Sequence, residues 1–296
     1  MELRHLRYFV AVATERNFTR AAAALGVAQP PLSRQIRDLE TELGAELIDR
    51  RSRPLRLTEP GRLLFEQATQ ILAAVEQTRT LMRRYLASER RRLVIGCVGS
   101  TIYGLVPEMI LRFRRAAPHV DVGLVEMNTI EQIAALKEGR IDAGIGRLRI
   151  EEQGIQRRVI HEDALVAALP LGHPLAERGG SVSLVDLAAE SLVIYPRPAR
   201  PSYADQVLSA FRDLGLQPAM VQEVRELQTA LGLVAAQAGV CIVPASVQRL
   251  QRDDVVYRPL SETVATSPII ISSREADVSE EVELLRRIAE ALTTAA

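Results

Sequence analysis

The chain has 296 residues, 47% of them hydrophobic and 25% charged, the balance of a soluble globular protein of one to three domains rather than a disordered one. The N-terminus, MELRHLRYFV, has no apolar core of signal-peptide length, and no apolar run is long enough to span a membrane, so a cytoplasmic protein with no membrane partner is expected. Formal net charge is zero, yet residues 1–92 hold 17 Arg against 11 acidic residues, while the remainder holds 20 basic against 26 acidic. An N-terminal part that meets a polyanion fits this asymmetry, and on charge alone chance drift between domains fits it equally. Cys97 and Cys241 stand far apart, each inside an apolar run, which predicts buried, reduced core cysteines rather than a disulfide or a metal site.

Leu3, Leu6, Phe9, Val10 and Ala13 recur at helical spacing and predict a first amphipathic helix over about residues 2–15. Asn17 or Thr19 can cap a second helix through Ala21, Ala22 and Leu25, which Gly26 ends. Gln29, Pro30 and Pro31 open a third, since a first-turn amide has no helical partner for proline to remove. Leu32, Ile36, Leu39 and Leu43 form its buried stripe and Gly44 closes it. Gln29, Ser33, Arg34 and Arg37 then face away from the core. Two helices joined by a short Gly turn make the helix-turn-helix pattern, in which the start of the second helix reaches base edges in the major groove. Arg34 can donate two parallel bonds to a guanine edge. Arg50, Arg51, Arg53 and Arg56 follow around Pro54, with Leu55 and Leu57 alternating, and predict a short basic β-wing against phosphate or the minor groove. Each arginine alone reads as a solvated surface residue; motif, wing and charge asymmetry together favour DNA.

Thr58 is a candidate cap for a long helix. Leu64, Ala68, Ile71, Val75, Thr78, Met82 and Tyr85 alternate at spacings of four and three, and Pro and Gly are absent from Arg62 to Arg92. This heptad seam predicts a coiled-coil dimer, the alternative being one helix buried in a core. A dimer would present two DNA-reading helices about one DNA turn apart.

From Leu93 onward strand-like and helix-like stretches alternate. Strand-like runs are Leu93–Val98, Val120–Val125, Ile141–Gly146, Leu192–Tyr195, Met220–Val224, Gly239–Val243 and Ser267–Ser272; helices fall between them, with a last one over Ser279–Leu292. The alternation predicts two α/β subdomains with parallel sheet and covering helices. Ligands in such sheets sit beyond the carboxyl ends of the strands. Gly99-Ser100-Thr101, Asn128-Thr129 and Pro201-Ser202-Tyr203 occupy such places, and three helix N-termini with free amides and hydroxyls would suit a small carboxylate. Arg147 directly follows a strand and would add charge there. Taken singly, Ser100, Thr101, Thr129 and Ser202 also read as ordinary helix caps. His5, His119, His161 and His173 are scattered without ligand spacing, and no nucleophile elbow, Walker loop or dinucleotide fingerprint is present. No enzyme, cofactor or metal is expected.

FTRAAAALGVAQPPLSRQIRDLETELGAELIDR followed by LTEPG closely resembles the winged helix-turn-helix signature of LysR-type transcriptional regulators. The resemblance extends over the whole chain, through AALKEGRIDAGIGRLRI and GLVAAQAGVCIVPASVQ. With VGSTIYGLVP, EMNTIEQ and YPRPARPSYAD it is most similar to the regulators of catechol and benzoate degradation that answer to cis,cis-muconate. The resemblance implies a multi-domain α/β protein: a winged helix-turn-helix over 1–58, a coiled-coil linker helix over 59–89, and an effector domain over 90–296 like type II periplasmic binding proteins. Its first subdomain would take about 90–162 and 267–296, its second about 163–266. It implies Gln29, Pro30, Pro31, Ser33 and Arg34 at the major groove, Arg53 in the wing, and Ser100, Thr101, Thr129 and Tyr203 lining the inducer crevice, with Arg147 nearby and Ser202 beside Tyr203. It implies double-stranded promoter DNA, a small carboxylate inducer, RNA polymerase and further copies of the chain, as a dimer of dimers, for partners. Ala28 departs from the family, where many members carry Ser as the cap of the reading helix. His161 stands where some relatives that respond to aromatic acids carry Arg. A regulator answering to a related aromatic acid or a chloromuconate is the alternative. A solute-binding protein or an α/β enzyme with a helical arm are remoter ones, against which the seam and the missing catalytic set argue.

Overall fold

The computed structural model describes residues 1–52, 54–87, 91–197, 200–262 and 266–294. Backbone contacts divide it into one unit of residues 1–84 with 137–139, and another of 85–136 with 140–296.

In the first unit, helices α1 (Leu3–Glu15), α2 (Phe18–Leu25) and α3 (Gln29–Leu43) close around Phe9, Ala21, Leu32, Ile36 and Leu39, none of which reaches solvent. Asn17 caps α2: its side-chain oxygen accepts from the amides of Thr19 and Arg20 at 2.9 and 3.1 Å, which satisfies two first-turn donors. Thr19, the other candidate cap, lies inside the helix. Gly26 and Gly44 end α2 and α3 at φ of 66° and 68°, left-handed backbone that a Cβ would strain. Strands β1 (Ile48–Asp49) and β2 (Arg56–Leu57) pair antiparallel, Ile48 opposite Leu57, and make the expected two-stranded wing. Helix α4 (Glu59–Ala87) begins on Thr58, whose hydroxyl oxygen accepts from the Gly61 amide at 3.0 Å. Gly61 admits the Leu47 carbonyl so closely that a Cβ would stand 2.0 Å from its oxygen.

The start of the heptad seam differs from expectation. Ala68 is fully buried, and Leu64 with its neighbour Phe65 packs on the three-helix core. These first turns of α4 cover the open side of the unit from which the helix departs, so Leu64 and Ala68 are spent inside one chain. Farther along, Val75 is half-buried, Thr78 is exposed, and Ile71 and Met82 are 40% and 52% exposed. The Tyr85 side chain lies outside the described residues.

The second unit runs β3 (Arg92–Cys97), α5 (Val106–Ala116), β4 (Asp121–Glu126), α6 (Thr129–Lys137), β5 (Ala143–Gly146), β6 (Ile155–Pro170), α7 (Pro174–Glu177), α8 (Leu184–Ala188), β7 (Ser191–Ile194), α9 (Tyr203–Asp213), β8 (Met220–Glu223), α10 (Leu227–Ala235), β9 (Val240–Pro244), β10 (Val255–Pro259), β11 (Thr266–Arg274) and α11 (Glu280–Thr294). The strand order is β4-β3-β5-β11-β6-β9-β7-β8, with β10 also paired to β6. The sheet is mixed where a parallel one was expected. Strands β3, β4 and β5 run parallel, as do β7, β8 and β9, but β6 and β11 run antiparallel between them. The 16-residue β6 has no counterpart in the sequence reading, and its two ends belong to different cores. Ile160 packs with Leu93, Ile95, Phe113 and Leu285, whereas Leu165 to Leu169 pack with Val193, Phe211, Leu231 and Val243. Two lobes thus share one strand that passes between them.

Cys97 and Cys241 are free and buried, one in each core. Burial, with the Glu126 charge adding to it, pushes the Cys97 thiol up to about 11, and burial pushes Cys241 higher still. Both are protonated core residues rather than nucleophiles.

Candidate functional site

The exposed end of α3 carries Gln29, Pro30, Pro31 and Arg34. No acidic residue occupies its first turn and Ala28 supplies no side-chain cap; Pro30 and Pro31 carry no amide hydrogen, so this end offers an anion the Gln29 amide and the helix dipole. Ser33 corrects the expectation of an outward face: it is only 9% exposed, because it directly follows Leu32 at the edge of the buried stripe. Arg37 donates to its hydroxyl at 3.4 Å.

In the wing, Arg51 and Arg56 are exposed, and Arg53 lies outside the described residues. Arg50 is tied down: it donates to Glu40 at 2.6 Å and lies 5.7 Å over the Phe18 ring. Glu40 also accepts the amides of Leu47 and Ile48 at 3.0 and 3.3 Å, which fixes the wing to α3. Within DLETEL, Glu40 reads as one more surface acid, and its position among the apolar stripe was the only signal of this role.

In the second unit the strand ends converge on Arg147, the residue after β5. Its Nε donates to the Ser100 hydroxyl at 2.9 Å and its amide donates to the Thr129 hydroxyl oxygen at 3.3 Å. Ser100 lies in the short helix Gly99–Tyr103 that follows β3, and Thr129 opens α6 after β4. Asn128, rather than Thr129, caps α6, exchanging hydrogen bonds with Glu131 at 2.9 Å in both directions. Gly146 is close beneath, where a Cβ would stand 2.7 Å from the Thr129 hydroxyl oxygen. Thr101, though beside Ser100, spends its proton on the Val98 carbonyl at 2.7 Å.

Arg147 does not offer free charge to the crevice, as its place after a strand suggested. The residue is 3% exposed, and its guanidinium donates to Asp163 at 2.9 Å and to the Ser267 carbonyl at 3.3 Å. Asp163 in turn accepts the Ser246 hydroxyl at 2.6 Å and the Ser246 amide at 3.3 Å. Asp163, Ser246 and Ser267 were not read from the sequence, since long-range strand pairing alone brings them together. The arrangement has a chemical consequence. Ser100 and Thr129 each receive a bond on oxygen from a buried donor, so their own protons are left to give to an acceptor.

Across from them, Ser202 caps α9 with Asp205, its amide donating at 2.7 Å. The Tyr203 hydroxyl donates to the Ile242 carbonyl at 3.2 Å, and its ring centroid lies 5.2 Å from that of Tyr195. Burial pushes both phenols well above their usual range. Gln206 of α9 donates to the Thr266 carbonyl at 2.7 Å and accepts from the Ser267 hydroxyl at 3.1 Å. Ser100, Thr129 and Arg147 therefore meet directly, whereas α9, which carries Ser202 and Tyr203, reaches them through Gln206 and Ser267. Among the described residues no cluster of His, Cys, Asp or Glu suits a metal, and no helix is long and apolar enough to cross a membrane.

Residues 3–62 match the family of bacterial regulatory helix-turn-helix proteins of the lysR type, and residues 86–293 match the LysR substrate binding domain. The probable cat1 operon transcriptional activator of Acinetobacter lwoffii is 48% identical over 97% of this chain and 95% of its own length. The regulator BenM of Acinetobacter baylyi is 45% identical over 94% of this chain and 92% of its own. The crystallised effector binding domain of BenM with its effector benzoate superposes with a TM-score of 0.66 at 39% identity, over 70% of this chain and 94% of that one. Full-length CbnR in complex with its target DNA superposes with a TM-score of 0.64 at 30% identity, over 98% of this chain and 99% of that one.

Proposed function

We propose, on the premise that this chain belongs to the LysR family of bacterial helix-turn-helix transcriptional regulators, that it activates genes of catechol and benzoate catabolism in response to cis,cis-muconate. The observation that carries the effector class is the pair of hydroxyls on Ser100 and Thr129. Both are held by Arg147 with protons to spare, at the carboxyl ends of parallel strands. An acceptor-only carboxylate matches such donors. Arg147 is neutralised by Asp163, so its part is to position these hydroxyls.

In this proposal residues 1–58 bind DNA, with Gln29, Pro30, Pro31 and Arg34 at base edges, Ser33 supporting them from within, and Arg53 in the wing. Residues 59–89 join two copies along the seam from Ile71 through Val75, Thr78 and Met82 to Tyr85. Residues 90–296 bind the effector between lobes that divide near 163 and 266, with Ser202 and Tyr203 on the second lobe. Dimers pair into tetramers in the cytoplasm, and the change reaches RNA polymerase through the bend of the promoter. By linkage, muconate must bind two arrangements of the assembly with different affinity, or it shifts neither. Benzoate is the second effector to consider, because a relative of 39% identity was crystallised with it.

The test is calorimetric titration of the full chain with muconate and with benzoate, with and without promoter DNA. Muconate binding that changes the DNA footprint is expected; binding of neither acid, or binding that leaves the footprint unaltered, overturns the proposal.

A further inference from the structure

Tyr195 is a buried phenol of the second lobe whose hydroxyl has nothing to bond among the described residues. It follows β7, which runs parallel to β9 with Val193 opposite Cys241. Two residues beyond the end of β9, Ser246 bonds Asp163. Tyr195 therefore stands on the same carboxyl edge of the second lobe as Ser246, and the charges of both Arg147 and Asp163 act on its phenol. The residue is 7% exposed, and its hydroxyl finds no hydrogen-bond partner among the described residues.

The contrast with Tyr203 is informative. The two rings pack together, tilted by 38°, and burial keeps both phenols protonated. Tyr203 gives its proton to the Ile242 carbonyl, whereas Tyr195 has a donor and no acceptor. Burying a hydroxyl without a partner is unfavourable, and Phe would fill the same space without that cost. A donor kept under these conditions, beside the ion pair that organises Ser100 and Thr129, is suited to an acceptor that arrives with the ligand.

We propose that the Tyr195 hydroxyl selects dicarboxylates, donating to the second carboxylate of an effector whose first is held by Ser100 and Thr129. This rests on the crevice being the carboxylate site. One lobe would then recognise each end of the effector, and an acid with a single carboxylate would leave Tyr195 unsatisfied.

The experiment compares full-length wild type and Tyr195→Phe by calorimetry, using cis,cis-muconate and 2,4-hexadienoate, the same carbon chain with one carboxylate replaced by methyl. Tyr195→Phe should bind muconate about tenfold more weakly, bind hexadienoate as wild type does, and melt at the same or a higher temperature. Selectivity between the two acids is the readout that a purely structural tyrosine, or one bonded to a buried water, leaves unmoved. Wild-type binding of muconate with unchanged selectivity in the variant overturns the role of Tyr195 alone. Wild type that binds neither acid overturns the crevice site, and this assignment with it.

Discussion

Arg147 donates to Asp163 at 2.9 Å with both side chains almost sealed from water, 2% and 6% exposed. The pair joins the end of β5 to the strand shared by both lobes, and Ser246 ties the same carboxylate to the second lobe. A buried pair of this kind is weak evidence for net stability, but removing one partner strands a charge. Asp163→Ala should therefore lose about 3–5 kcal/mol in urea unfolding. The double change Arg147→Met with Asp163→Leu should lose much less. Equal losses for the single and double variants would show that the pair does not act as a unit.

Gly146→Ala probes the hydroxyl geometry. The added Cβ would stand 2.7 Å from the Thr129 hydroxyl oxygen and 3.3 Å from the Gln132 side-chain oxygen, so Thr129 must turn or α6 must shift. The expected outcome is carboxylate binding weakened by an order of magnitude or more, about 1.4 kcal/mol per tenfold, with an intact operator affinity. Wild-type effector affinity in this variant would remove Thr129 from the site.

The parts legible in the sequence are those set by local chemistry. The three helices of the first unit fall within a residue or two of expectation, because an apolar stripe, a proline start and a left-handed glycine stop all act within one helix. Ser100 and Thr129 could be nominated because each closely follows a strand. Strand β6 was not legible. Its first half mixes arginines with apolar residues, its end from Leu165 to Pro170 is a continuous buried run, and β11 changes register against it between Ile269 and Ile270. Asp163, Ser246 and Ser267 escaped for a related reason: each reaches the Arg147 cluster through strand order, which spacing along the chain does not encode. The heptad pattern misled at Leu64 and Ala68 because packing against a domain and packing against a second helix impose the same periodicity.

Asp277 predicts an acid-sensitive contribution to stability. Burial alone would raise its pKa, but the hydroxyl and amide of Ser279 and the Arg274 guanidinium, at 2.6, 3.0 and 2.6 Å, outweigh it and hold the carboxyl below its usual range. The folded pKa lies below the unfolded value of about 3.9. The stabilisation is therefore complete above that value and lost as pH falls through the folded pKa. The stability difference between wild type and Asp277→Asn should be flat from neutrality down to about pH 5 and shrink below about pH 4. A difference that grows on acidification would contradict the assignment.

Ile71 and Met82 are exposed apolar residues on a helix whose earlier turns are already covered. Ile71→Asp should leave the first unit folded, since it touches none of that core, while sedimentation shows loss of the dimer. DNA affinity should fall with it, because two half-sites then bind independently. A variant that stays dimeric at micromolar concentration would place the self-association elsewhere.

Arg34 and Ala28 stand at the same end of α3 and predict different phenotypes. Arg34 is exposed with no part in the core, so Arg34→Ala should leave the melting temperature unchanged and cost about 1–3 kcal/mol of specific DNA binding, while salt-sensitive non-specific binding persists. Ala28 occupies the cap position in extended backbone, at φ −76° and ψ 148°, without a side-chain acceptor. Ala28→Ser supplies one, but the second and third helix positions are Pro30 and Pro31, which have no N–H to donate to it, so the change should leave the melting temperature of the first unit essentially where it is. Because the bidentate base contact belongs to Arg34 and not to this position, sequence preference should not change either. Gel-shift titrations on a specific and a scrambled site, run beside thermal melts, separate the two effects. Arg34→Ala with unchanged operator affinity would move the reading surface off α3, and a change of base preference in Ala28→Ser would mean that the helix end itself, not its side chains, sets the register on DNA.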